Sequence, residues 1–286
     1  VSGSTENGLA VFRGVPFAAP PVGELRWKAP QAAPAWKGVK ACTKFSASPI
    51  QGEPKPFFCW SEEFIAPPQP LSEDCLYLNV WAPANAKDLP VMVWIHGGSN
   101  LNGAASQPEF DAAAWARQGV VAVSINYRVD VFGFMAHPEL TAESGTQSSG
   151  NYALLDQIAA LKWVQKNIAQ FGGNARNVTI LGESAGSINV SLLMASPLAK
   201  GLFAKAIGQS GSALVPSGIF SPRPLATGEE HGKRMAQALG AAGVAQMRQA
   251  SASDVLAASA KTPTIVGLGV VDGYVVPEHP AKLFAN

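Results

Sequence analysis

Charge is scarce in this sequence: Asp, Glu, Lys and Arg make up 14% of its 286 residues and sum to a net charge of +1. No basic run occurs, so there is no electrostatic footprint for nucleic acid or for an anionic membrane surface. Cysteine is sparse as well. Cys42, Cys59 and Cys75 show neither C-x-x-C nor His/Cys ligand spacing, which speaks against a metal site, and nothing in the chain calls for a cofactor. They allow at most one internal disulfide; a loop-stapling bridge and buried free thiols both stay open. Long apolar runs are missing too. Stretches such as Val91-Met-Val-Trp-Ile95 are strand-sized and far too short to span a bilayer. There is no internal repeat, low-complexity linker or signal peptide. The chain opens on Val1 rather than Met, as expected of a mature or trimmed form, so the missing signal does not argue for the cytoplasm.

What the chain does have is apolar mass, 47% of its residues, ample for a large core. Residues 1–71 are dense in proline and aromatics, including Val15-Pro-Phe-Ala-Ala-Pro-Pro21, Trp27, Trp36 and Phe57-Phe58-Cys59-Trp60. Aromatic richness argues for short strands and ordered loops rather than disorder. Between Ser72 and Trp81, Leu76, Leu78 and Val80 alternate with Tyr77, Asn79 and Trp81, the pattern of a strand near a sheet edge. From Leu89 onward the pattern becomes α/β. Apolar strands are expected at Val91–Ile95, Val120–Ile125, Val178–Leu181 and Phe203–Ile207, and a short helix at Pro108–Gln118. Leu154, Ile158, Leu161, Val164 and Ile168 trace one stripe of an amphipathic helix stopped by Gly172-Gly173. Helices follow at Glu229–Leu239 and Ser251–Ala260, the second capped by Ser251 or Ser253. Strands separated by helices predict a mostly parallel central sheet with helices on both faces, and a site at the carboxyl ends of the strands.

That is where the chain places its most informative stretch, Asn177-Val-Thr-Ile-Leu-Gly-Glu-Ser-Ala-Gly186. A β-branched run leads into Gly182-Glu183-Ser184-Ala185-Gly186, and a small-residue helical segment follows. Strand, G-x-S-x-G and helix in that order is the context of a nucleophile elbow. It sets the Ser184 hydroxyl clear of the turn with a positive helix end beneath it. A second Gly-rich loop, His96-Gly97-Gly98-Ser99, leaves the strand Val91–Ile95. Two of its backbone N–H groups, with that of Ala185, would make an oxyanion hole.

Five stretches together resemble the type-B carboxylesterase/cholinesterase family: Phe12-Arg-Gly-Val-Pro-Phe-Ala-Ala-Pro-Pro-Val-Gly23, Ser72–Trp81, Pro90–Ser99, Asn126-Tyr-Arg128 with Phe132-Gly-Phe134, and Gly182–Gly186. The resemblance runs from Gly3 to about Phe284. It implies an α/β-hydrolase fold, one domain over 1–286 truncated before the acid and histidine loops, and hydrolysis of small-molecule carboxylic esters through an acyl-enzyme. By the same resemblance Ser184 is the nucleophile; Gly98, Ser99 and Ala185 are the oxyanion donors; Gly97, Glu183 and Asn100 support the site. Many members carry glycine where Ser99 stands and an aromatic where Asn100 stands. Serine keeps its backbone N–H, whereas Asn100 is expected to make the acyl side of the pocket more polar. Cys75 matches a half-cystine of the cholinesterase branch. Its usual partner position holds Ser48, so a bridge would use Cys42 or Cys59, or be absent.

A serine hydroxyl needs a base, and the base an orienting acid, which in this fold follow the serine as acid and then histidine. After Ser184 the histidines are His231 and His279. His231 falls in the charged helix Gly228–Arg234, where a solvated face is expected. Asp272 and His279 stand in the right order but seven positions apart, and a parallel crossover takes roughly a dozen residues. His96 and His137 precede the serine and read as structural. The sequence therefore predicts a nucleophile and an oxyanion hole without their base. That is the expectation for a fragment or one piece of a cleaved chain, the acid and histidine lying on a second fragment. The parent is expected to be a secreted or periplasmic serine esterase. A triad-less binding or adhesion protein of the same fold, or a thioesterase, amidase or lactonase, are the competing readings.

Overall fold

The computed structural model describes residues 1–53, 55–56, 70–107, 112–215, 218, 221–262 and 269–285. Its strands are β1 (Ser4–Glu6), β2 (Leu9–Pro16), β3 (Tyr77–Pro83), β4 (Leu89–Ile95), β5 (Val121–Ile125), β6 (Gly173–Glu183), β7 (Lys205–Gln209), β8 (Arg223–Pro224) and β9 (Val270–Val271). Its helices are α1 (Ala113–Ala116), α2 (Asp130–Phe134), α3 (Pro138–Glu143), α4 (Tyr152–Asn167), α5 (Ala185–Ala195), α6 (Leu225–Ala238), α7 (Val244–Gln249), α8 (Ala252–Lys261) and α9 (Pro280–Leu283). The first seven strands form one sheet in the order β1-β2-β3-β5-β4-β6-β7. β5, β4, β6 and β7 run parallel, and β1 to β3 add an antiparallel wing beside β5.

β4, β5 and the Val178–Leu181 stretch of β6 are mostly apolar because helices cover both faces. Val93 lies in register with Val123 and with Ile180, and all three are fully buried. In such a sheet neither face has a solvent side to encode, so the runs read as continuous rather than alternating. Helix α4 lays Leu154, Ile158, Leu161 and Val164 into this core and runs on into a 3-10 turn, Ile168–Phe171, which stops where Gly172 takes φ +81°. Ser251 caps α8, its hydroxyl accepting from the Asp254 amide at 3.1 Å. The expected helix at Pro108–Gln118 is the short α1, residues 108–111 lying outside the described residues.

Three expectations change. β3 is not near an edge: β2 pairs with it on one side and β5 on the other. Its polar position Asn79 is buried rather than solvated. The side-chain oxygen accepts from the Gly14 amide at 2.9 Å, and the amide group donates to Ser124 Oγ at 3.0 Å. A polar residue met by tertiary partners imitates a half-exposed strand in the sequence. His231 is also not on a solvated face; it is 7% exposed. Its Nε2 donates to the Thr262 carbonyl at 3.0 Å where α6 packs on α8, and burial lowers its pKa. Finally, Cys42 and Cys75 are both buried free thiols, and burial pushes both thiol pKa values up. Cys59 lies outside the described residues.

Candidate active site

The site follows from one feature of the register: Ile95 at the end of β4 sits beside Gly182 at the end of β6. The loops leaving these two strands are therefore neighbours from their first residue. On the β6 side the chain reverses into α5 within one residue, Ser184, whose φ is +54° and ψ −120°. An L-residue rarely enters this region, and holding it there costs about 1–3 kcal/mol. Close packing enforces the turn. A methyl group on Gly182 would lie 2.5 Å from the Gly186 carbonyl oxygen, and one on Gly186 only 2.1 Å from the Ile95 carbonyl oxygen. Below the serine its amide donates to the Gln209 carbonyl at 2.8 Å. Gly211 approaches so closely that a methyl there would sit 2.5 Å from the Ser184 carbonyl oxygen. The two glycines of the motif were legible as a turn; Gly211 was not. Its only signal is the Gly208-Gln209-Ser210-Gly211 run that ends β7 and leads out of it.

On the β4 side the loop from His96 to Gly103 lies against the elbow. A methyl group on Gly97 would meet the Glu183 carbonyl oxygen at 2.8 Å and Ser184 Cβ at 3.3 Å. Gly98, Ser99 and Asn100 follow with φ of +96°, +57° and +57°. The loop curls so that the amides of Leu101 and Asn102 both donate to the Gly98 carbonyl, at 2.9 and 3.1 Å. Among the described residues, the amides of Gly98, Ser99 and Ala185 donate to no protein acceptor. Ala185 owes this to its place in the first turn of α5, where N–H groups have no intrahelical partner. Ser99 is exposed, and Glu183 is half-buried with its Oε2 directed at Gly97. Burial raises the Glu183 pKa.

Asn100 does not line a pocket, contrary to expectation. It is 0% exposed, its side chain turned inward onto Asn189 of α5 and onto Tyr127. His96 is likewise beneath the loop. Its ring stacks on Tyr127 with centroids 4.2 Å apart, Nδ1 faces the Gly97 carbonyl at 2.9 Å, and burial lowers its pKa to about 4. Gln51 holds the far end of the loop, exchanging hydrogen bonds with the amide and carbonyl of Gly103 at 2.9 and 3.0 Å. In the sequence Tyr127 figured only as part of the Asn126-Tyr-Arg128 stretch, with no role given to it, and Asn189 and Gln51 were not singled out. Asn189 carried a signal of its own, as an amide in an otherwise small and apolar helix.

No histidine is hydrogen-bonded to the Ser184 hydroxyl among the described residues. His137 Nδ1 accepts from the Glu139 amide at 3.1 Å and caps α3, and His96 and His231 are engaged as above. His279 faces Ser221, with 2.9 Å between Nε2 and Oγ, which looks like a nucleophile and base. Its Nδ1, however, accepts from the Ala281 amide at 3.2 Å. The proton must then sit on Nε2 and point at the serine, so this imidazole cannot take the Ser221 proton. Asp272 closes its own turn, Oδ1 accepting from the Tyr274 and Val276 amides at 3.0 and 2.9 Å. The structure thus brings together Ser184, Glu183, Gly97, Gly98, Ser99 and Ala185, with Asn100 beneath, and leaves Asp272 and His279 apart from them.

A strained serine between a strand and a helix, with an amide-rich loop pressed against it, is the layout of an acyl-transfer hydrolase. The model of the carboxylesterase family matches residues 1–286. The chain belongs to the carboxylesterase family. Among its relatives, a cocaine esterase of Oryctolagus cuniculus is 43% identical over 98% of this chain and 52% of its own. A para-nitrobenzyl esterase of Bacillus subtilis (strain 168) is 47% identical over 74% of this chain and 42% of its own. A solved carboxylesterase of Geobacillus stearothermophilus superposes with a TM-score of 0.85 at 39% identity, covering 98% of this chain and 55% of that one. The α/β-hydrolase fold of the chain follows from these neighbours, and the chain spans about half the length of the curated relatives it matches.

Proposed function

We propose that the protein hydrolyses small-molecule carboxylic esters through an acyl-enzyme on Ser184. The base and its orienting acid come from polypeptide outside these 286 residues. The Ser184 oxygen attacks the ester carbonyl carbon while a histidine takes its proton. The charge that develops on the carbonyl oxygen meets the amides of Gly98, Ser99 and Ala185. The alcohol leaves with the proton, and water, activated by the same histidine, releases the acid. Each oxyanion donor of this kind is worth about 10²–10³ in rate. The observation that carries the proposal is the strained backbone of Ser184, φ +54° and ψ −120°, seated against a loop whose Gly98 and Ser99 amides donate to no protein acceptor among the described residues.

An exposed sheet edge supports this reading. β7 ends the parallel sheet and is exposed along most of its length, with Ile207 43% and, just beyond it, Val215 52% exposed. Parallel sheets are rarely left open in this way, and a bare edge invites a further strand. A binding or adhesion protein of the same fold is the second reading, and the intact, strained elbow favours the enzyme. Thioester, amide and lactone hydrolysis use the same groups, and substrate profiling of the whole protein separates them. A secreted or periplasmic location, carried over from the same reading, is checked by fractionation. The deciding experiment is labelling of the intact, folded full-length protein with a fluorophosphonate and mapping of the adduct. Modification of Ser184, lost in Ser184→Ala and far slower with the 286-residue chain alone, is the expected outcome. An intact full-length protein that takes up no label refutes the proposal.

A further inference from the structure

We propose that Asn189 is a positioning residue for the oxyanion loop, acting through a reciprocal amide pair with Asn100; the role rests on the esterase reading above. Asn189 Nδ2 donates to Asn100 Oδ1 at 2.9 Å, and Asn100 Nδ2 donates back to Asn189 Oδ1 at 3.2 Å. Both residues are fully buried. The pair joins two segments 89 positions apart. One is the loop that carries the amides of Gly98 and Ser99. The other is α5, whose first residue is Ala185. Asn189 lies five positions beyond Ser184, about one and a half helical turns along.

An oxyanion hole drawn from two elements works only if both sets of donors converge on one point, and an error of about 1 Å can cost 10²-fold. Backbone meets backbone at Gly97 and Gly186, and farther out loop and helix share no ladder, so side chains set their separation there. Tyr127 fixes the loop from the strand side. Its hydroxyl donates to the His96 carbonyl at 2.6 Å and lies 3.2 Å from Asn100 Oδ1. Asn189 fixes it from the helix side. Two hydrogen bonds in a dry interior are directional and strengthened by the low dielectric, so the pair holds a spacing that apolar contact would let drift. Asn100 also suits its backbone: at φ +57° asparagine is among the few residues other than glycine that sit comfortably. The two positions form one device, with the left-handed turn presenting an amide that α5 receives.

The clamp is separable from a merely structural pair. Asn189→Ala keeps the helix, since alanine is its best former. In this chain, hydrogen exchange of the amides in 96–103 is expected to speed up at least about tenfold in Asn189→Ala, with α4 (Tyr152–Asn167) unchanged. In the full-length protein, kcat for a p-nitrophenyl ester is expected to fall about 10- to 100-fold with KM held within about twofold. Asn100→Gly combined with Asn189→Ala should lose no more kcat than the worse single variant, because both remove one link. Unchanged exchange in the loop overturns the proposal. So does a kcat loss that matches only the unfolded fraction, or losses that multiply. If the folded wild type turns over no ester at all, the esterase reading fails, and loop exchange still decides the clamp.

Discussion

Replacing Ser184 by glycine should make the protein more stable, and by alanine should not. The serine is held at φ +54° and ψ −120°, the mirror image of an extended conformation. That region is closed to residues with a Cβ and open to glycine. The strain of a non-glycine residue in such a region is about 1–3 kcal/mol. Alanine keeps the Cβ and therefore keeps the strain. Glycine releases it, at a cost of about 0.4–1 kcal/mol for the extra freedom of the unfolded chain. Taking the middle of both ranges, Ser184→Gly should exceed Ser184→Ala by about 1 kcal/mol, or about 2 °C in Tm for a chain of this size. Neither variant retains the hydroxyl, so the comparison is free of any effect of turnover. Urea unfolding of both variants, followed by far-UV circular dichroism, reads the difference. An alanine variant as stable as the glycine variant means that the elbow stores no strain, and the main support for a catalytic serine goes with it.

His96 makes the fold sensitive to acid. Its pKa falls from 6.5 to about 4 on burial, so the neutral ring's stabilisation is complete above pH 6.5. It is lost as pH drops towards 4, by about 3 kcal/mol at 1.36 kcal/mol per unit; between pH 7.5 and 4.5 urea titrations should show a fall in stability about 2–3 kcal/mol larger in the wild type than in His96→Gln, which keeps the smaller loss from buried His231 and His137. Gly186→Ala forces a methyl to within 2.1 Å of the Ile95 carbonyl oxygen and should cost about 1–3 kcal/mol in chemical denaturation, whereas Gly52→Ala, with open space around it, should be near neutral. Asp156 holds Arg128 through bonds of 2.7 and 2.8 Å in the core. Asp156→Ala strands that cation and should cost about 3–5 kcal/mol, while an apolar replacement of both partners should cost less; melting of the single and double variants gives the comparison.

How much of this was legible depends on how local the cause is. The elbow could be read because the glycines flanking Ser184 answer to atoms of neighbouring backbone, and few other residues fit. The central parallel strands could be read because a strand covered on both faces is apolar at nearly every position, as β5 is but for Ser124. Polar residues misled wherever a distant partner satisfies them. Asn79 imitates a solvent-facing residue and is met by Gly14 and Ser124. Asn100 suggests a polar pocket wall and is consumed by Asn189 and Tyr127. His231 sits among charged neighbours in sequence, yet the packing of α6 on α8 decides its environment. Periodicity reports which face is apolar; it cannot report that an amide on the other face has found a partner 89 positions away.

The same distinction bears on how the proposed site would be well formed without its base. Every contact that bends Ser184 belongs to this chain. The Ile95 carbonyl meets Gly186, the Gln209 carbonyl takes the Ser184 amide, and Gly211 packs under the Ser184 carbonyl. The loop opposite is held by Tyr127, Asn189 and Gln51, again within these residues. Nothing in that framework uses the base. On the proposed mechanism, strain and donor geometry are therefore set before a histidine arrives, and that histidine would have only to reach a hydroxyl already in place. The stability difference between Ser184→Gly and Ser184→Ala should accordingly be the same, within error, in this chain and in the full-length protein, while fluorophosphonate labelling differs sharply between them. A strain difference that appears only in the longer protein would mean that the missing polypeptide bends the elbow, and the site could no longer be called preorganised.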